Sequence, residues 1–139
     1  MGDRVLMQCH SAKSGRFGPV VYCHWLGDKA PQIVNQLINR MRGRSGDVDC
    51  TSARLVQECT LAQADPATCM GIGVWNSDHL LTAKDSHGDA GCVLIDVDNW
   101  AITYVGGYLE HDGLLKSTEQ QAQDALYAHM ATTPLVGAN

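Results

Sequence analysis

The sequence predicts an α+β protein: an antiparallel sheet of about five to six strands packed with an αα-hairpin and a C-terminal helix. Three observations carry this. Short apolar runs of strand length open the chain and return after Thr68. Two stretches with helical repeats stand between them, joined by a short glycine-containing turn. The order is strands, helices, strands and a last helix, with no alternation of the kind that builds a parallel sheet.

Residues 4–9 read as the first strand, and 11–18, rich in Ser and Gly, as a loop or hairpin connection. Residues 20–25 form the second strand. Val21, Cys23 and Trp25 share its core face, with Val20, Tyr22 and His24 on the other. Asp28 is placed to cap the next helix, and Pro31 suits its first turn. Ile33, Val34, Leu37, Ile38 and Met41 recur at helical spacing, and Gly43 and Gly46 stop the helix. Arg40, Arg42 and Arg44 lie at its C-terminal end, where the helix dipole favours cations. They read first as a solvated helix end, second as a basic patch. A second helix runs from a cap at Asp47 or Asp49 to about residue 64. Its apolar side is Ala53, Val56, Cys59 and Thr60, with Leu55 flanking, and Pro66 ends it.

Residues 70–75 and, more weakly, 79–83 read as strands. Residues 92–97 and 100–105 form a hairpin across Asp98-Asn99. The final helix spans 117–130, capped by Ser117 or Thr118, and 134–139 form a frayed tail. One domain over residues 1–139 is expected, with no repeat or linker to divide it.

Composition excludes some functions. A net charge of −5 argues against direct nucleic-acid binding by phosphate neutralisation. No apolar run approaches the roughly 20 residues that cross a bilayer, and the N-terminus lacks a signal-peptide core, so a cytoplasmic protein without membrane contact is expected. The cysteines at 9, 23, 50, 59, 69 and 92 include no CxxC pair and mostly sit in apolar runs. Buried free thiols are the reading, with no metal site and no cofactor.

Two segments could carry chemistry. The first, Tyr22-Cys23-His24-Trp25, delivers a histidine and aromatic rings to a strand end, where sites in α/β sheets tend to form. His24 could act as an acid or base, with Tyr22 or Trp25 as a stacking wall; equally, Trp25 could be core and His24 could bind a loop carbonyl. The neighbouring Cys23 faces the core in no electropositive setting and makes a poor nucleophile. The second segment is Asp85-Ser86-His87-Gly88-Asp89. It could present His87 as a general base with Asp89 orienting it, or it could be a turn in which Ser86 and the aspartates bond the backbone. Residues so close in sequence cannot converge as a Ser-His-Asp triad. Tyr22, His24, Trp25, Asp85, Ser86 and His87 are the candidate ligand or partner contacts, and His24, His87 and Asp89 the candidate catalytic groups. Gly71-Ile72-Gly73 leads to no helix, so it marks a bulge or close backbone approach rather than a phosphate loop.

The segment Tyr22-Cys23-His24-Trp25-Leu26-Gly27, followed by an amphipathic helix, resembles small uncharacterised phage, prophage and bacterial proteins with a Tyr-x-His-Trp-x-Gly strand end. The resemblance runs over residues 20–104, including the Met70-Gly71-Ile72-Gly73-Val74 strand and the later hairpin. This chain departs from it at Arg44-Ser45-Gly46-Asp47 and in its added C-terminal helix. The resemblance carries no reaction, cofactor or catalytic residue. It implies an accessory protein that engages and inhibits a host protein, such as a component of a CRISPR–Cas defence system. The alternative is a small hydrolase, or a protein that binds or sequesters a nucleotide, with its site around His24 and His87. A homodimer stays open, since so small a sheet has an edge strand available for pairing.

Overall fold

The structure, a computed structural model, describes residues 2–63, 69–73 and 79–115. The elements in chain order are β1 (Val5–Ser11), β2 (Arg16–Phe17), β3 (Val20–Cys23), α1 (Ala30–Met41), α2 (Val48–Ala62), β4 (Met70–Gly73), β5 (Gly91–Asp96), β6 (Ala101–Val105) and α3 (Tyr108–Leu115). The strands form one sheet in the order β4-β3-β1-β5-β6, with β2 paired to the end of β1. This is the expected α+β architecture, with one refinement. Every pairing is antiparallel except β1 with β5, which is parallel. β5 does not fold back on β4 as a hairpin; it lies beyond β3, against β1.

The sheet's two faces differ. Val5, Met7, Cys9, Val21, Cys23, Val93 and Ile95 pack under α1 and α2, meeting Ile33, Val34, Leu37, Leu55 and Cys59. On the opposite face, Leu6, Val20, Cys92 and Leu94 pack with Leu81. Gln8 is fully buried in the middle of β1. Its Nε2 donates to the carbonyls of Gly18 (3.2 Å) and His79 (3.1 Å), and its Oε1 accepts from the Leu81 N–H (3.0 Å). A polar side chain thus ties residues 79–81 to the sheet. The strand expected at 79–83 is absent: the segment is irregular and ends in a short 3-10 helix at Ala83–Asp85. Its backbone is engaged by Gln8 rather than by a neighbouring strand.

α1 shows the predicted apolar stripe, Ile33, Val34, Leu37, Ile38 and Met41, all buried. Asp28 is not its cap. A 3-10 turn at Gly27–Lys29 comes first, the helix starts without a side-chain cap, and the Asp28 N–H is held by Asp3 Oδ2 (2.8 Å). α2 is capped by Asp47, whose Oδ1 accepts from the Cys50 N–H (2.9 Å). Its buried stripe is Val48, Thr51, Ser52, Leu55, Glu58 and Cys59, rotated from the predicted one: Ala53 and Thr60 face solvent. The rotation is possible because two of the three polar groups in the stripe find partners, while the Ser52 hydroxyl is buried without one among the described residues. The Thr51 hydroxyl donates to the Asp47 carbonyl (2.6 Å), and buried Glu58 pairs with Arg40. With Arg44 on Asp47, the arginines at the end of α1 are largely committed to α2.

The β5–β6 hairpin turns through four residues, 97–100, rather than the expected two. Asp96 Oδ1 and Asn99 Oδ1 accept from the Asp98 and Ala101 N–H groups, and Trp100 takes a left-handed φ of 61° to rejoin the ladder. β3 ends at Cys23, two residues before the predicted boundary. The chain bends there, so Trp25 leaves the core face that it would share with Val21 and Cys23 and stands 49% exposed. α3 has no signature in the sequence, because Tyr-Leu-Glu-His-Asp-Gly-Leu-Leu has no amphipathic period. Tertiary contacts hold it: Leu109 is buried, and the Tyr108 hydroxyl donates to Asp3 Oδ1 (2.7 Å). The helix expected at 117–130 lies outside the described residues, as do the tail at 134–139 and part of the 70–75 strand. No helix of the described residues is long and apolar enough to cross a membrane.

Candidate functional site

Where β3 stops, the backbone of His24 is clamped from both sides. Its N–H donates to the Cys69 carbonyl (3.1 Å), and its carbonyl accepts from the Asp3 N–H (2.8 Å). Beyond the strand end, the His24 ring turns back over Tyr22. Tyr22 Oη and His24 Nδ1 are 2.6 Å apart. The Trp25 ring stands edge-on to the His24 ring, with centroids 5.2 Å apart at 79°.

His87 arrives from the turn before β5. Its ring packs edge-on against Tyr22 at 5.6 Å and 67°, so both histidines converge on one tyrosine. Arg4 fixes that turn. Its Nε and its backbone N–H both donate to Asp89 Oδ2 (2.7 and 3.1 Å), and its terminal nitrogen donates to the His87 carbonyl (3.2 Å).

The remaining candidates build the turn. Asp85 closes the 3-10 helix by accepting from the Thr82 N–H (2.7 Å). The Ser86 hydroxyl donates to the Gly106 carbonyl (2.6 Å) and accepts from the Gly88 N–H (3.0 Å). Asp89 is bonded to Arg4 and to neither histidine.

The electrostatics follow from these contacts. The guanidinium and backbone N–H of Arg4 hold the Asp89 carboxyl below its ordinary value. Desolvation raises the Tyr22 hydroxyl, which stays protonated as a hydrogen-bonding group. Burial pushes the Cys9 thiol up to about 12 and the Cys92 thiol up to about 11. The thiol of Cys23 and burial both raise Cys59. These are poor nucleophiles at neutral pH. Among the described residues, no group of three or more His, Cys, Asp or Glu could hold a metal ion. A groove of about 250 Å³ between α1 and α2, lined in part by Gln32, Gln36, Glu58 and Leu61, includes none of the candidate residues.

The corner therefore presents an exposed indole, two imidazoles and a phenol on a fixed backbone, with the nearby carboxylate already paired. Sequence reasoning missed Gly2, Asp3 and Arg4. Their only signal was opposite charge at Arg4 and Asp89, residues 85 positions apart. Comparison with family models, curated proteins and solved structures finds no match to this chain. Fold and corner alone define its class: an α+β protein with a mixed, mainly antiparallel sheet and an aromatic–imidazole surface at one strand end.

Proposed function

We propose that this is a small accessory binding protein of the phage and prophage kind. It engages a host protein, a component of a defence system such as CRISPR–Cas, and inhibits it through the corner at the end of β3. The observation that carries the reading is Trp25. A large indole left half exposed, backed by His24 and fixed on a clamped backbone, is the type of anchor that dominates protein interfaces. The pairing of Asp89 with Arg4, and of Asp85 and Ser86 with the turn, supports binding over catalysis by committing the polar groups to structure. The host target rests on the sequence resemblance.

Alanine scanning of the corner tests this. Trp25→Ala should cost about 2 kcal/mol or more of binding energy, with smaller losses at Tyr22, His24 and His87. A second reading is favoured by the convergence of His24 and His87 on Tyr22: a nucleotide whose base stacks on Trp25 and whose phosphate meets an imidazole, bound or hydrolysed there. It requires that His24→Ala and His87→Ala each abolish nucleotide binding or turnover while the fold stays intact.

A further inference from the structure

β4 is the terminal strand of the sheet, and its hydrogen-bonding pattern can be derived. The His24 N–H bonds the Cys69 carbonyl, so His24 and Cys69 form a hydrogen-bonded pair of the antiparallel β3–β4 ladder. Hydrogen-bonded and non-bonded pairs alternate, and the register sets Tyr22 opposite Gly71 and Cys23 opposite Met70. Gly71 and Gly73 therefore turn their N–H and C=O groups inward to β3. Met70 and Ile72 turn theirs outward, where no described strand pairs with them. The edge is short, four residues, but carries no charge and no proline, two of the usual guards against pairing. Ile72 sits opposite Val21, hence on the helix-covered face, and is 60% exposed.

We infer that β4 is a homodimerisation edge, pairing antiparallel with β4 of a second copy about a two-fold axis at Gly71. In this register Met70 of each copy faces Ile72 of the other. Both are outward-bonding residues, so each pair exchanges two hydrogen bonds and every outward group from Met70 to Ile72 is satisfied. The two Met–Ile pairs fall on one face, covering the exposed isoleucine. Gly71 meets Gly71 of the second copy at the close, non-bonded position, where the absence of a Cβ leaves room. This self-complementarity selects a second copy as the occupant. The resulting sheet is continuous across the dimer. It sets the Tyr22 rings of the two copies roughly 14 Å apart, three strand spacings, across a glycine floor. The inference is independent of what binds at Trp25.

The test is the mass of the full chain in solution, by sedimentation or light scattering up to millimolar protein, with amide exchange read by NMR. The expected species is a dimer of the 15.0 kDa chain that dissociates on dilution, with Met70 and Ile72 amides protected only in the dimer. Ile72→Pro removes an outward N–H and no inward bond, so it should give a folded monomer. Ile72→Lys, which places a charge at the edge, should do the same. Thermal unfolding of both variants checks that the monomer is folded. A wild-type monomer at every concentration overturns the inference. So does a dimer that survives both substitutions, or one in which the Met70 and Ile72 amides exchange freely.

Discussion

His24 owes its position to its neighbours. Its N–H, its carbonyl and its ring are each held, by Cys69, Asp3 and Tyr22, while Gly2 lies against the imidazole. A Cβ at Gly2 would come within 2.7 Å of His24 Nε2 and of its carbonyl oxygen. Gly2→Ala should therefore displace the N-terminal segment, costing about 1–3 kcal/mol and shifting the His24 ring resonances in an NMR spectrum. Gln8 sets a second residue-level constraint. Gln8→Leu removes the hydrogen bonds to the Gly18 and His79 carbonyls and from the Leu81 N–H, a loss of about 2–3 kcal/mol in urea unfolding. Neither role could be read from the sequence. A glutamine within a strand looks the same whether it faces water or three backbone groups, and a glycine near the terminus does not announce what it touches.

Among the elements, α1 was legible because its buried stripe is wholly apolar, and a 3.6-residue period survives in the residue types. α2 was legible in extent but not in rotation. Half of its buried stripe is Thr51, Ser52 and Glu58, which no hydropathy pattern assigns to a core. The Arg40–Glu58 pair predicts an asymmetry. Arg40→Ala strands a buried carboxylate, whereas Glu58→Gln leaves an arginine that reaches water, so the first should destabilise more in chemical denaturation. Asp47→Ala removes the cap at Cys50 N–H and should cost about 1 kcal/mol, again by denaturation. The sequence extends β3 two residues too far because Trp25 continues its alternation. The clamp at His24 ends the strand first and turns the predicted core tryptophan into an exposed ring of the corner.

Across the molecule, distant segments are joined by carboxylates. Asp89 joins the turn before β5 to the start of β1 through Arg4, and Asp98 joins the β5–β6 turn to the Lys13 N–H and the Ser11 hydroxyl. These contacts, led by the Arg4 side chain at Asp89 and the Lys13 backbone N–H at Asp98, lower both carboxyls from an ordinary 3.8. Each binds its proton less tightly folded than unfolded. Their stabilisation is thus complete above the ordinary value and is lost as pH falls through the lower folded values. Melting temperature should fall on acidification from about pH 5 to pH 2, less steeply in Asp98→Asn than in the wild type. Sheet order belongs to the same scale. The sequence carries most of the strands, but not the parallel placement of β5 on β1, nor the convergence of His24 and His87 on Tyr22.

The proposed role of Trp25 is to anchor a macromolecular contact. Its most direct test is native mass spectrometry of the tagged protein, purified gently from a bacterial lysate, beside Trp25→Ala at matched stability. The prediction is a stoichiometric protein partner on the wild type that is lost from Trp25→Ala. A partner retained by Trp25→Ala would contradict it, as would a nucleotide-sized mass increment that disappears in His24→Ala and His87→Ala.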